Sequence, residues 1–242
     1  MNHELDSAVA AIRGIAPRRV AVLTGAGVSA ESGIPTFRDA GGLWRHYRPE
    51  DLATPEAFDR DPATVWQWYE MRRSLIREAR PNAAHEAIAS LGADTLVVTQ
   101  NVDGLHGRAG SRNVIELHGN IFRVRCTAER RVLTADLPYD AVPPYCACGA
   151  LLRPDVIWFG EMLAPDDLAR AAEGIRAADL LLVVGTSGVV YPAAGLVSQH
   201  RALSIEINPQ ASGVTSACTL AVPMKATEAV PLLVAAFLES RK

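Results

Sequence analysis

Short runs of aliphatic and β-branched residues recur along this chain, and most end at glycine or a small polar residue. Arg19-Val20-Ala21-Val22-Leu23 leads into Thr24-Gly25-Ala26-Gly27, which reads as a buried strand entering a glycine turn. Asp94 to Thr99, Val114 to Leu117, Leu180 to Val184 and Ala202 to Ile207 have the same character. Helical patterns separate or follow them, at Ala83 to Leu91, Asp166 to Ala178, Ala193 to Arg201 and Thr227 to Ser240. Strands alternating with helices predict an α/β fold, with a mainly parallel sheet covered by helices on both faces.

Two stretches break the alternation. Asp61 can cap a helix with Pro62 in its first turn, running to about Arg80. Arg73 and Arg77 on that helix are expected to be solvated. Residues 121–154 hold arginines, prolines and three of the four cysteines, without strong periodicity. Both stretches are read as inserts packed together beside the main sheet.

Composition narrows the function classes. A hydrophobic content of 49% with 21% charged residues is ordinary for a globular protein. The formal net charge is −3 and no long basic run occurs, so neither a nucleic-acid surface nor a polybasic membrane anchor is expected. Leu180 to Val184, the most apolar run, is too short to span a bilayer. The first residues lack the pattern of a secretory signal, and the cysteine spacing does not suit a disulfide framework. A cytoplasmic location is the resulting expectation.

Gly25-Ala26-Gly27 follows a strand, where small residues let backbone N–H groups approach a pyrophosphate. The next glycine is Gly33, so the spacing is not that of an ordinary dinucleotide fingerprint, and tight packing explains such a turn equally well. Gln100-Asn101-Val102-Asp103, Gly185-Thr186-Ser187 and Asn208 also follow predicted strands. In a parallel sheet these ends share one edge, where ligands bind.

Together with Ala30 to Arg38, Thr99 to Asp103, Leu117-His118-Gly119, Val156 to Glu161 and Gly185-Thr186-Ser187, the glycine turn resembles the signature blocks of the sirtuins, in the family's order. The resemblance covers residues from about 18 to 230. It implies a Rossmann-like domain formed by residues 1–38, 80–120 and 155–242. A smaller inserted domain would comprise a helical module, residues 39–79, and a possible zinc module, residues 121–154. It further implies an NAD-dependent deacylase that consumes NAD, acts on acyl-lysine proteins or peptides, and releases nicotinamide and O-acyl-ADP-ribose.

Sirtuin chemistry needs a base to activate the ribose 2′-hydroxyl, and an imidazole titrating near neutrality suits that task. By resemblance the base is His118. Asn101 and Asp103 would line the nicotinamide pocket, Gln100 would contact the nicotinamide ribose, and Phe37 would cover the reactive ribose carbon. The rest of the expected NAD-binding set is Gly25, Ala26, Gly27, Ala30, Thr36, Arg38, Trp44, Val102, Gly185, Thr186, Ser187, Asn208 and Ala226. An acyl-peptide would add as a strand between Val156, Trp158, Phe159, Gly160 and Glu161 on one side and a loop containing Val189 and Tyr191 on the other.

Tyr69 and Arg72 stand three residues apart, on one helix face. A guanidinium can grip a carboxylate while a phenol adds one hydrogen bond. The pair resembles the acyl-pocket motif of sirtuins that remove succinyl, malonyl and glutaryl groups, and Ala53 matches that class as a small residue leaving room for a longer chain. Acidic acyl-lysines are therefore expected substrates, with deacetylation as a lesser or parallel activity.

Family members hold a structural zinc with two cysteine pairs. Here Cys126 is followed three residues later by Glu129, and Cys146 with Cys148 supply the second pair. A Cys3Glu zinc site and a metal-free insert held by packing both remain open. Cys218 is expected in a late strand, as buried packing. The competing functions are a plain deacetylase, a mono-ADP-ribosyltransferase and an NAD-binding module without turnover. The retained His118, Asn101 and Asp103 speak against the last.

Overall fold

The computed structural model describes residues 3–36, 49–134, 139 and 141–241. Phe37, Arg38 and Trp44 lie outside the described residues. The helices are α1 (His3–Ile15), α2 (Pro49–Leu52), α3 (Pro55–Arg60), α4 (Pro62–Glu78), α5 (Ala83–Ser90), α6 (Leu105–Arg108), α7 (Pro165–Ala177) and α8 (Ala226–Glu239). The strands are β1 (Val20–Thr24), β2 (Leu96–Thr99), β3 (Asn113–Glu116), β4 (Gly119–Cys126), β5 (Val132–Thr134), β6 (Leu152–Val156), β7 (Leu180–Val184), β8 (Leu203–Ile207) and β9 (Leu220–Val222).

Six strands form one sheet in the order β3-β2-β1-β7-β8-β9, with every neighbouring pair parallel. The chain winds outward from β1 to β3 and later resumes at β7 on the other side of β1. Strand order thus reverses between β1 and β7, and their C-terminal ends open the crevice where ligands of such sheets bind.

Alternation along the central strands feeds two cores. Val20 and Val22 of β1, with Leu180, Leu182 and Val184 of β7, pack under α1, α5 and α8. Ala21 and Leu23, with Leu181 and Val183, face α7 and the segment Ala193–Gln199. All five residues of each strand are buried, so both faces of the sheet are covered.

A second sheet, in the order β5-β4-β6, is antiparallel and three-stranded. Its apolar face shares a third core with the helices of residues 49–78. There Leu52, Phe58, Trp66, Tyr69 and Ile76 meet Ile121, Val124, Leu152 and Trp158. Asp61 caps α4, accepting from the Thr64 N–H at 3.0 Å, and Pro62 opens its first turn.

Three expectations are corrected. Arg73 is fully buried, not solvated. It lies on the same stripe of α4 as Trp66, Tyr69 and Ile76, and its guanidinium donates to the Ile121 carbonyl and to Glu70, both at 2.5 Å. Arg77 is exposed, as expected. Ala193–Gln199 is a 3₁₀ helix, not an α-helix; Gly195 within it weakens the α-helical preference, and Ala193, Ala194, Leu196 and Val197 are its buried residues. Cys218 ends a short 3₁₀ turn two residues before β9. It is half-buried, and burial pushes its thiol up to about 12. No helix among the described residues is long and apolar enough to cross a membrane.

Candidate active site

The turns after β1 and β7 interlock. The Gly25 N–H donates to the Val184 carbonyl at 3.0 Å, and the Gly27 N–H to the Gly185 carbonyl at 2.8 Å. A Cβ on Gly25 would stand 2.8 Å from Thr186 Cα, and one on Gly27 would stand 2.8 Å from Gly185 Cα. These two glycines serve close approach between loops, and their N–H groups are already satisfied. The packing explanation therefore accounts for both.

Thr186 ties the neighbouring strand ends to this floor. Its hydroxyl accepts from Gln100 Nε2 at 3.0 Å, and its carbonyl accepts from Asn208 Nδ2 at 2.8 Å. Ser187 is held from the far side, where its carbonyl accepts from the Gly213 N–H at 3.0 Å. Ala226 is buried at the start of α8, next to Thr227, whose hydroxyl donates to Glu31 beside exposed Ala30. Thr36 is half-buried at the end of the first described segment.

Asn101 and Asp103 are both buried beside β1. Asn101 Nδ2 donates to the Gly25 carbonyl at 3.2 Å and to Ser29 Oγ at 3.1 Å, which leaves its amide oxygen as the acceptor for a ligand. Asp103 accepts from Ser29 Oγ at 2.7 Å and from the Leu105 N–H at 2.8 Å. Burial raises its pKa, against the lowering effect of those two hydrogen bonds and of the Arg108 and Arg72 charges. Between them, the Val102 carbonyl accepts from the Ile121 N–H at 2.9 Å, which joins this loop to β4.

His118 occupies the turn between β3 and β4. Its Nδ1 lies 2.9 Å from the Gln100 carbonyl, which can only accept, so Nδ1 carries the proton and Nε2 offers a lone pair. Burial lowers its pKa, and the Gln100 hydrogen bond opposes that in part. The imidazole is thus held neutral and basic at physiological pH. Gly119, at φ +81°, lets the chain pass so close to β6 that a Cβ there would meet the Asp155 carbonyl oxygen at 2.1 Å.

The segment that follows β6 runs beside His118, whose carbonyl accepts from the Ile157 N–H at 2.9 Å. Val156 and Trp158 are buried, whereas Phe159, Gly160, Met162, Val189 and Tyr191 are exposed. Glu161 accepts two bonds from Arg153, at 2.6 and 2.9 Å, and one from the Trp158 N–H at 2.7 Å. Ala53 is buried, and its carbonyl accepts from the Phe159 N–H at 2.9 Å. Tyr69 is fully buried, with its hydroxyl 2.8 Å from Trp158 Nε1. Arg72 is half-buried, its guanidinium 4.7 Å from the Trp68 ring centroid and 6.0 Å from that of Tyr69. Burial lowers its pKa, while the nearby Tyr69 and Asp103 raise it.

Behind the pocket lies a pair of histidines to which no motif assigns a role. The rings of His85 and His106 are 4.8 Å apart. His106 Nε2 is 3.0 Å from the Thr24 hydroxyl, which donates to Thr99 Oγ1 at 2.8 Å. His85 reaches Ser29 at 3.4 Å and Asn82 at 3.0 Å. Burial lowers the pKa of His85 to about 4 and, with the neighbouring His85 charge, that of His106 to about 3. A visible signal in the sequence is His85 beside Ala84 and Ile88, the apolar face of its helix.

In the insert, ligand atoms of Cys126, Glu129, Cys146 and Cys148 all lie within 4.8 Å of one another. Tetrahedral zinc, with bonds of about 2.0–2.3 Å, sets its ligands roughly 3.3–3.8 Å apart. The sulfurs of Cys126 and Cys148 are 3.5 Å apart, and Arg131 pairs with the Glu129 carboxylate at 3.4 Å. Three thiols and a carboxylate gathered on this scale fit zinc. When bound there it would tie β4 to the turn at residues 146–148 as a structural crosslink.

A model of a protein family described as the Sir2 family matches residues 25–192. The chain belongs to the Sir2 family. It is 53% identical over 224 residues to the NAD-dependent protein deacylase 2 of Pyrobaculum aerophilum, with 90% of each chain covered. It also resembles a solved Sir2 homolog in complex with NAD. There the TM-score is 0.90 at 46% identity, over 100% of this chain and 96% of that one. A Sir2 enzyme solved with a deacetylated peptide and 3′-O-acetyl ADP ribose gives a TM-score of 0.80 at 31% identity, over 94% and 96% of the two chains. NAD is the co-substrate of Sir2 enzymes.

Proposed function

We propose that this chain removes acyl groups from lysine side chains while consuming NAD, and that acidic acyl groups (succinyl, malonyl and glutaryl) are among those it removes. The chain is an NAD-dependent protein deacylase, as its Sir2 relatives are. His118 is the base in this reading, its Nε2 lone pair taking the proton of the ribose 2′-hydroxyl. Asn101 and Asp103 hold the nicotinamide carboxamide. The peptide lies between the exposed Phe159 and Gly160 on one side and Val189 and Tyr191 on the other.

The observation that carries the acidic preference is the placement of Tyr69 and Arg72 in one wall. A guanidinium and a phenol lie within reach of each other, half-buried and fully buried, and Asp103 is near enough to act on the guanidinium charge. A carboxylate entering that wall meets a cation in partly desolvated surroundings, where such a pair is stronger than in water.

The test is a panel of acetyl, malonyl, succinyl and glutaryl peptides assayed with NAD for nicotinamide release and O-acyl-ADP-ribose. Acidic peptides are expected to turn over at least as well as the acetyl peptide. Arg72→Met is expected to cost about 2–4 kcal/mol in kcat/KM for the succinyl peptide, and much less for the acetyl peptide. Hydrolysis of acetyl peptides with succinyl peptides left untouched would overturn the acidic assignment.

A further inference from the structure

The contact between Trp158 and Tyr69 has a direction. An indole N–H can only donate, so at 2.8 Å the Tyr69 oxygen is the acceptor and its own hydrogen must go elsewhere. Among the described residues the Tyr69 hydroxyl makes no other hydrogen bond. A fully buried phenol hydrogen without an acceptor is costly unless a ligand supplies one. Burial raises the Tyr69 pKa, so the hydrogen stays on the oxygen at neutral pH.

Trp158 is fixed on several sides. It is 3% exposed, the Arg153 guanidinium carbon lies 3.4 Å from its ring centroid, and the Phe58 ring lies at 5.3 Å. Its backbone N–H donates to Glu161, which Arg153 grips with two bonds. The indole N–H therefore cannot swing away without breaking the ring's contacts with Arg153 and Phe58. On the other side of Tyr69, the Trp68 ring packs edge-on at 4.7 Å, and Arg72 lies over Trp68.

We propose that Trp158 is a positioning residue for acyl selection, its indole N–H fixing the Tyr69 hydroxyl as a donor aimed at the carboxylate of an acidic acyl chain. This rests on the acidic-acyl reading of Tyr69 and Arg72. Arg72 supplies the charge, and Trp158 orients the second donor through Tyr69. A site built to donate to a ligand oxygen discriminates against chains that lack one, because the donor is then left unpaired. An acetyl group ends in a methyl and offers the phenol no such acceptor.

The experiment measures the ratio of kcat/KM for succinyl over acetyl peptides in wild type, Trp158→Phe, Tyr69→Phe, the double variant and Arg72→Met. Trp158→Phe keeps an aromatic ring and removes the donor. It is expected to lower the ratio about five- to ten-fold, mainly through the KM of the succinyl peptide. Tyr69→Phe should lower it by at least as much, and adding Trp158→Phe to Tyr69→Phe should lower it no further. If Trp158→Phe folds poorly, β-(3-benzothienyl)alanine in place of Trp158 removes the N–H at nearly constant shape and should give the same fall. An unchanged ratio in either donor-free protein, or a further fall in the double variant, would overturn the role of Trp158 while Arg72→Met still reports on the acidic pocket. A wild type inactive on succinyl peptide would overturn the acidic-acyl reading and this inference with it.

Discussion

His118 Nδ1 and the Gln100 carbonyl oxygen are 2.9 Å apart, so the chain end of β2 sets the tautomer of an imidazole that follows β3. Because burial lowers the His118 pKa, its basic form persists below pH 6.5. The acid limb of the pH–rate profile should therefore have its midpoint below 6.5. His118→Ala should lower turnover about 10²–10⁴-fold, the range of general-base catalysis, with circular dichroism checking the fold.

The paired histidines behind the pocket make stability depend on pH. Unfolded histidine titrates near 6.5, whereas His85 and His106 in the folded chain titrate at about 4 and about 3. Below pH 6.5 the unfolded chain takes up protons that the folded chain refuses, so stability falls as pH falls. Each group should contribute a slope of about 1.4 kcal/mol per pH unit, ending near pH 4 for His85 and pH 3 for His106. Urea unfolding from pH 7 to 5 should show a shallower slope in a His85→Gln/His106→Gln variant than in wild type.

Two glycines at similar φ separate strain from crowding. Gly33 is at φ +82° and a Cβ added there would meet nothing within 4 Å, whereas Gly119 is at φ +81° with the Asp155 oxygen 2.1 Å from the corresponding position. Gly33→Ala should cost about 1–2 kcal/mol, the penalty of the left-handed region alone. Gly119→Ala should cost more than about 3 kcal/mol, since crowding against backbone adds to it. It should also depress activity, because the adjacent His118 carbonyl accepts from the Ile157 N–H at 2.9 Å. Denaturant midpoints and turnover of the two variants check this.

The insert should carry one zinc per chain in tag-free protein, measured by elemental analysis or native mass spectrometry. Chelation, or Cys146→Ser, should lower the unfolding midpoint through loss of the crosslink between β4 and residues 146–148. A metal-free protein whose midpoint ignores chelator would remove the Cys3Glu reading.

The main sheet was legible because its strands are buried on both faces, and runs such as Leu180 to Val184 carry that signal in composition alone. The small sheet was not. Along β4 the buried residues are Gly119, Ile121, Val124 and Cys126, so the alternation breaks where the pairing to β6 shifts between Gly119 and Val124. Helix α1 went unread, although Leu5, Ala8 and Ile12 mark its buried stripe. Arg73 misled through its charge, while its position in the stripe of Trp66, Tyr69 and Ile76 already pointed inward. Asn101, Asp103 and His118 stand out in the sequence only by the company of their motifs. The Ser29, His85 and His106 support depends on side chains that only the folded chain brings together.

The third core has a consequence for substitution. Tyr69, Ala53 and Trp158 pack with α4 and the small sheet, whereas the interlocked turns at Gly25, Gly27 and Gly185 are stitched into the main sheet. Substitutions around Tyr69, Ala53 and Trp158 thus fall in a different packing unit from those that disturb the turns after β1 and β7. A change of side-chain volume at Ala53 or Tyr69 is absorbed first by α4 and the small sheet, and the hydrogen bonds that join the turns of the main sheet lie outside that unit.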